Sequence, residues 1–318
     1  MSPTTVQKLR LGVLGTLVWD VIMGPDRSDP MEDWGGLAYA LGALDATLDP
    51  AWEVVPLAKV GRDMEEEARA LFAELQSVSD TSGVLFTDGE NNRVALHYTG
   101  PSRRVETLSG GVPPWTWDEL EAWVGRLDAL YVNFISGFEL PLEVAVRLRS
   151  AVRGPTYADL HSLFLGLDAD GRRFHRPLEN ALEWCRAFHA VQVNEDELAQ
   201  LATGERDPWA WARWAIGQGV GEILVTLGAG GAARVGPTLD GPVGGDAAVI
   251  EMPTSQPGAG DPTGCGDVWG ATFFGGRLAG VSLTSAMERA NRVAGINLRA
   301  RGATRFRAAA WADQEPPR

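Results

Sequence analysis

The chain has 318 residues, 45% hydrophobic and 22% charged, which excludes a disordered, collagen-like or fibrous protein. Lys plus Arg number 28 against 42 Asp plus Glu, and the formal net charge of −14 excludes nucleic acid and anionic membrane as partners by repulsion. With no run of about 18 apolar residues, no apolar leader at MSPTTVQKLRLGVLG and only two cysteines, Cys185 and Cys265, the expectations are no transmembrane helix, no secretory signal, no disulfide framework and a cytoplasmic location.

Residues 10–16 (RLGVLGT) read as a short buried strand. A polar stretch with prolines follows from Met23 to Asp33, and Gly35-Gly36 opens a helical run, LAYALGAL. Residues 53–60 (EVVPLAKV) give the next strand. Gly61-Arg62-Asp63 then leads into an amphipathic helix, MEEEARALFAEL. Residues 83–88 and 92–98 are β-rich runs separated by Gly89-Glu90-Asn91, which reads as a hairpin. A hairpin inserted in a strand–helix series suggests a small lid, taken as about 17–34 and 83–107. Arg93, Arg103 and Arg104 lie in or just after it. From Asp128 the alternation resumes, with DALYVNF, TYADL, AVQVN and EILVTL as strands and 231–252 as a second β-rich excursion. Helices follow from about Gly266 to Leu278 and about Leu283 to Arg301, and the tail after Gly302 reads as frayed. Alternation of this kind predicts a mostly parallel sheet with helices on its faces. The reading treats 1–318 as one domain.

Only two lysines occur, Lys8 and Lys59, and no GxxxxGK[ST] element exists, which excludes a P-loop. Phosphate would have to be met by arginine, backbone amides, helix N-termini or a metal. The sharpest segment is Asp261-Pro-Thr-Gly-Cys-Gly-Asp267 before an apolar helical run. Gly264 and Gly266 permit a tight turn whose amides converge at a helix N-terminus, an anion site. A carboxylate beside an anion is poor for binding alone. It suits a base that takes the proton of a hydroxyl attacking a phosphate, so Asp267 is read as that base. The alternative is an N-terminal cap with glycines serving only turn geometry. The four histidines, His97, His161, His175 and His189, show no metal-ligand spacing. His161 follows Asp159 at a strand end, where it could line a pocket.

The DPTGCGD segment resembles the D-T-T-G-A-G-D signature of the ribokinase-like, or PfkB, sugar kinases. Gly35-Gly36 is similar to the family's early di-glycine, and AKVGRD (58–63) to its strand-end G-x-D. Asn194-Glu-Asp-Glu197 resembles its N-x-x-E and Thr226-Leu-Gly228-Ala-Gly-Gly231 its T-L-G-x-x-G, all in the family's order. The resemblance implies a ribokinase-like α/β fold with a small β lid and a phosphotransferase that moves the γ-phosphoryl of ATP to a hydroxyl of a small sugar or polyol. It implies Asp267 as base and the amides of Gly264, Cys265 and Gly266 as the anion hole. Asn194 and Glu197 would hold Mg²⁺ through water. Thr226, Gly228 and Gly231 would line the nucleotide, and Asp261 and Thr263, with carbonyls near Arg301 and Gly302, a monovalent cation such as K⁺. Cys265 stands for the family's usual alanine and reads as a small buried residue, the alternative being a thiol whose pKa the helix N-terminus lowers.

The acceptor side departs from the pattern. Asp20 falls where many members grip substrate hydroxyls, but Val18 stands for the family's Asn. Leu37-Ala-Tyr39-Ala follows the di-glycine in place of Lys-Gly-Ala-Asn. Asp20, Gly35, Gly36 and Tyr39 are the acceptor-site expectation, with Trp19, Trp34 and Tyr39 making it aromatic. A nucleoside acceptor, a non-catalytic sensor of the same fold, and a homodimer paired through the lid all remain open here.

Overall fold

The first strand, β1 (Leu9–Met23), is fifteen residues long and twice the length of its apolar core run. It is followed by β2 (Met31–Gly36), α1 (Leu37–Thr47), β3 (Trp52–Gly61), α2 (Glu65–Glu74), β4 (Val84–Thr87), β5 (Arg93–Tyr98), β6 (Arg104–Ser109) and α3 (Trp117–Val124). The middle of the chain supplies β7 (Ala129–Asn133), α4 (Leu142–Ala151), β8 (Thr156–Asp159), β9 (Leu165–Leu167), β10 (Arg173–His175), α5 (Ala181–Arg186), β11 (Ala190–Asn194), α6 (Glu195–Leu201) and α7 (Pro208–Gly217). The last third holds β12 (Glu222–Thr226), β13 (Ala232–Pro237), β14 (Ala247–Met252), α8 (Cys265–Leu278), α9 (Leu283–Asn297) and α10 (Ala303–Ala312). The computed structural model describes residues 7–23, 30–98, 104–202, 207–237, 247–254, 258, 260–300 and 302–312. The lid residues 24–29 and 99–103, with Arg103, and Arg301 lie outside the described residues.

The main sheet runs β14–β13–β12–β11–β8–β7–β1–β3–β4. Neighbours from β12 to β4 are parallel, and β13 and β14 add antiparallel pairs at one edge. Parallel strands covered on both faces are apolar on both, and the alternation sorts their side chains. Tyr131 faces a layer built from α1, α2, α8, α9 and α10, whereas Leu130 and Val132 face one built from α3 to α7. The expected α/β sandwich is therefore the observed one.

β1 serves two sheets. Residues 9–16 lie between β3 and β7, and residues 17–23 continue outward to pair with β2 and β5. The passage is pinned by Glu139, 3% exposed. Its carboxylate accepts the Thr16 hydroxyl (2.7 Å) and the amides of Ile135 (2.9 Å), Ser136 (2.6 Å) and Gly137 (3.0 Å). With the Ser136 hydroxyl (2.9 Å) these make five donors on one buried carboxylate, which fix where lid meets core.

Three expectations need correction. The runs at 83–88 and 92–98 do not form a hairpin. β4 pairs parallel with β3 and closes the main sheet, while β5 pairs antiparallel with β6. Local periodicity identifies a strand but not its partner, and β3 had a free edge for β4 to take. The lid is thus β2, the outer half of β1, β5 and β6. The last long helix stops at Asn297 rather than Arg301. The tail after Gly302 carries α10, whose Phe306 is wholly buried against the layer of α1. Burying one phenylalanine is worth about 2–3 kcal/mol, enough to hold a short terminal helix in place.

One element was not anticipated. The β9–β10 hairpin crosses to the lid, where the Leu108 amide donates to Gly171 O (2.9 Å). Arg173 there pairs with Glu106 of β6 at 2.8 Å and donates to Ile135 O at 2.7 Å.

Candidate active site

The C-terminal ends of the parallel strands bring polar side chains into one row. Gly15 of β1 is opposite Asn133 of β7, Asn133 opposite Asp159 of β8, Asp159 opposite Gln192 of β11, and Asn194 opposite Thr226 of β12. Ligand crevices in such sheets lie beyond these ends.

The N-terminus of α8 sits over this row. Gly264 is its N-cap, in the left-handed region (φ 76°), and any Cβ there would overlap the Tyr39 ring. Only glycine meets both demands. Gly270 lets the helix approach the sheet, since a Cβ would lie 2.8 Å from the Tyr131 hydroxyl oxygen. Gln192 fastens the first turn: its Nε2–H reaches Gly266 O (3.0 Å) and Asp159 Oδ2 (2.7 Å), while the Tyr157 hydroxyl donates to its Oε1 (2.8 Å).

Asp267, half-buried in the first turn, accepts from Asn133 Nδ2 at 2.8 Å. Burial pushes its carboxyl up, against the pull of the Asn133 donor and the charge of His161. Asp159 is pushed up as well, by burial first and then by Asp267 and Glu197. His161 donates to or accepts from Glu197 through Nδ1. Burial alone would depress the imidazole, but Glu197, Asp159 and Asp267 around it outweigh that and lift it to about 9. The site therefore sets one imidazole among three carboxyl groups, which favour its charged form. A titratable group shifted by burial and by named neighbours at a strand-end cleft is the electrostatic mark of a working site.

The three glycine-turn amides are not equivalent. The Cys265 amide donates to Pro262 O (3.0 Å) and closes the turn, whereas the Gly264 and Gly266 amides have no acceptor among the described residues. Of the two readings of Cys265, the small packed residue, half-buried here, holds and the lowered thiol does not: burial pushes the thiol up to about 11, with Asp267 and Asp261 adding to it against the Asn297 donor. Cys265, Gly266, Thr226, Gly228 and Gly231 line one cavity of about 230 Å³ with Trp269 and Ala294. Trp269 is fixed by a bond from Nε1 to Asn291 (2.8 Å).

On the acceptor side, Asp20 is buried and packs so closely on Gly35 that no side chain fits there. A Cβ on Gly36 (φ 57°) would lie 2.6 Å from Ile135 Cγ2. Tyr39, expected to face a ligand, is 1% exposed and lies beneath Gly264. A helix that must present Gly264 to the site needs a flat ring under it, and that is the place Tyr39 fills. Burial raises its hydroxyl, and Asp20, Asp261 and Asp267 add to the effect, which sets these three carboxylates around one ring. Trp19 and Trp34 meet edge to face at 5.3 Å. Arg93 of the lid pairs with Asp63 at 3.1 Å.

Asn194 and Glu197 form a capping box on α6. Glu197 accepts from the Asn194 amide (2.8 Å) and from Asn194 Nδ2 (2.6 Å), besides its contact with His161. Among the described residues no group of three or more His, Cys, Asp and Glu side chains gathers to hold a metal. Mg²⁺ that travels with phosphates keeps several waters and needs only one or two carboxylates. Glu197 is enclosed and both its oxygens are already bonded, which does not suit it to direct coordination and leaves contact through water as the form in which it would meet such an ion. Asp261 Oδ1 accepts from the Thr263 amide (3.0 Å) and hydroxyl (2.7 Å), and Thr263 O accepts from Asn297 (2.7 Å). Asn133, Gln192 and Tyr157 escaped the sequence reading. Their signal was there: each lies in a strand that was identified, as a polar residue at or near the end of an apolar run. No helix among the described residues is long and apolar enough to cross a membrane.

Comparison with known proteins agrees with this geometry. Residues 53–309 match the model of the pfkB family carbohydrate kinases. No curated protein sequence matches. Among solved structures, a pyrophosphate-dependent kinase in the ribokinase family, complexed with a pyrophosphate analog and myo-inositol, superposes with a TM-score of 0.72 at 20% identity. That match covers 95% of this chain and 100% of the other. Ribokinase from Thermotoga maritima gives 0.71 at 17% identity, covering 96% and 98%. Arabidopsis thaliana ribokinase, complexed with ribose and ATP, gives 0.68 at 16%, covering 96% and 98%. At these identities the likeness is one of fold. The family match spans most of the chain, and the chain belongs to the pfkB family of carbohydrate kinases.

Proposed function

We propose that this kinase transfers the γ-phosphoryl group of ATP to a hydroxyl of a small sugar or polyol. The observation that carries the reading is Asp267, a carboxylate held by Asn133 in the first turn of α8, directly after Cys265 and Gly266, which line the cavity of Thr226, Gly228 and Gly231. In this reading Asp20 accepts acceptor hydroxyls, with Gly35 and Gly36 leaving room for it. Asp267 takes the proton of the attacking hydroxyl. The amides of Gly264 and Gly266, which have no acceptor among the described residues, stabilise the charge that builds on the transferring group. Mg²⁺, its waters held by Asn194 and Glu197, neutralises charge on the donor's phosphates when bound. A monovalent cation at the Asp261–Thr263 turn belongs to the same proposal. The lid of β1, β2, β5 and β6 excludes water, so that the donor is not hydrolysed.

The donor is read as a nucleotide because no lysine or arginine is among the described residues that line the cavity, and most of its wall is apolar or glycine. A donor made only of phosphate would need paired cations there, whereas a nucleobase suits apolar walls. The test offers ATP and pyrophosphate separately, each with Mg²⁺ and a panel of sugars, cyclitols and nucleosides, and follows phosphorylated product. We expect product from ATP with one class of sugar or cyclitol. Product from pyrophosphate alone would overturn the donor, and product only from nucleosides would overturn the acceptor.

A further inference from the structure

Asn133 ends β7 and is completely buried. Its Nδ2–H donates to Asp267 Oδ1 at 2.8 Å, and its own Oδ1 is buried without a partner among the described residues. The second fact gives the first its meaning. An amide that served packing would satisfy both of its ends or be replaced by leucine of similar shape. Leaving a buried carbonyl unmet is unfavourable, so the bond to the carboxylate must outweigh it. The amide cannot be turned over either, because its oxygen would then face the oxygen of Asp267.

We propose that Asn133 is a positioning residue for phosphoryl transfer: it holds Oδ1 of Asp267 and leaves Oδ2 as the atom that receives the acceptor's proton. The inference rests on the reading of Asp267 as base. It explains how a carboxylate can stay ionised in this place. Near Asp267 stand Asp159 on β8, a second carboxyl that its charge pushes up, and the hydroxyls of Tyr131 on β7 and Tyr39 on α1, which the same charge helps to keep neutral. His161, after β8, offsets part of this. Asn133 is the neutral donor in direct contact. It favours the ionised form, and the fixed sheet position of Asn133 between Gly15 and Asp159 gives the carboxylate one orientation.

The experiment measures kcat and KM against pH for wild type, Asn133→Leu and the near-isosteric Asn133→Asp. A charge-assisted bond of this kind corresponds to about one pH unit or more. Asn133→Leu should therefore move the acid limb of kcat/KM up by about one unit and lower kcat about tenfold at high pH, with both KM values within about threefold. Asn133→Asp, placing like charge opposite Asp267, should move the limb at least as far. In parallel, the Asp267 carboxyl is titrated by its ¹³C resonance in the unliganded protein, assigned with Asp267→Asn. Asn133→Ser, which removes the donor at Asp267 without adding charge, replaces Asn133→Leu if that variant fails to fold, and an upward shift of the carboxyl in it supports the inference. An acid limb and a carboxyl titration that stay in place overturn it, as does an effect confined to KM. Absence of turnover in wild type would instead defeat the functional reading, and the carboxyl titration would still decide the role of Asn133.

Discussion

Gly264 shows how much of this site is steric. It combines a left-handed backbone with a ring pressed against its Cα, so its replacement strains φ and displaces Tyr39 together. Gly264→Ala should lower stability by about 2–4 kcal/mol, read from the urea midpoint. Gly217→Ala, in the last turn of α7 with nothing within 4 Å, should instead raise the midpoint slightly, a gain of about 0.4–1 kcal/mol. Equal effects at the two positions would mean that the turn is not held as described. The sequence pattern made Gly264 and Gly266 visible as turn formers. It could not reveal that Tyr39 supports the turn from below rather than facing the acceptor, because that contact joins residues far apart in the chain. The same limit hid Asn133, whose only unusual feature in sequence is a polar side chain closing an apolar strand.

At the scale of elements, the lid illustrates where periodicity stops. The β-rich runs were legible, but their partners were not, since pairing is decided by which sheet edge is free. The β9–β10 hairpin was invisible for a related reason: three-residue strands carry too little pattern. Yet it straps β6 to the core through Arg173 and Glu106, whose side chains are 5% and 16% exposed. Removing the charge of one partner of an enclosed ion pair weakens the bond across it, at a cost of about 1–3 kcal/mol, even though Arg173 keeps its bond to Ile135 O. Glu106→Gln should thus speed hydrogen exchange of the Leu108 amide, which bonds Gly171 O, by about tenfold or more, with α8 and α9 unaffected. Unchanged exchange at Leu108 would show that the strap does not hold the lid. In α10, legibility failed in the opposite direction, since alanine-rich polarity concealed one fully buried phenylalanine, Phe306.

For the whole molecule, the alternation of strands and helices was the strongest signal, and it held because parallel sheets need apolar strands and two amphipathic helix layers. The same topology explains the site. Every parallel strand ends at one edge, so residues spaced across the chain, from Thr16 to Thr226, converge there, and α8 returns from the far end of the sequence to lay its N-terminus over them. The central claim is that this convergence makes Asp267 the base of a phosphoryl transfer. The most direct test is turnover of Asp267→Asn with ATP, Mg²⁺ and the acceptor found in the panel, beside ATP binding by titration calorimetry. The account predicts a loss of about a thousandfold or more in kcat with ATP affinity within about threefold of wild type. Turnover within about tenfold of wild type would contradict it, because no other group in the site has been assigned to take that proton.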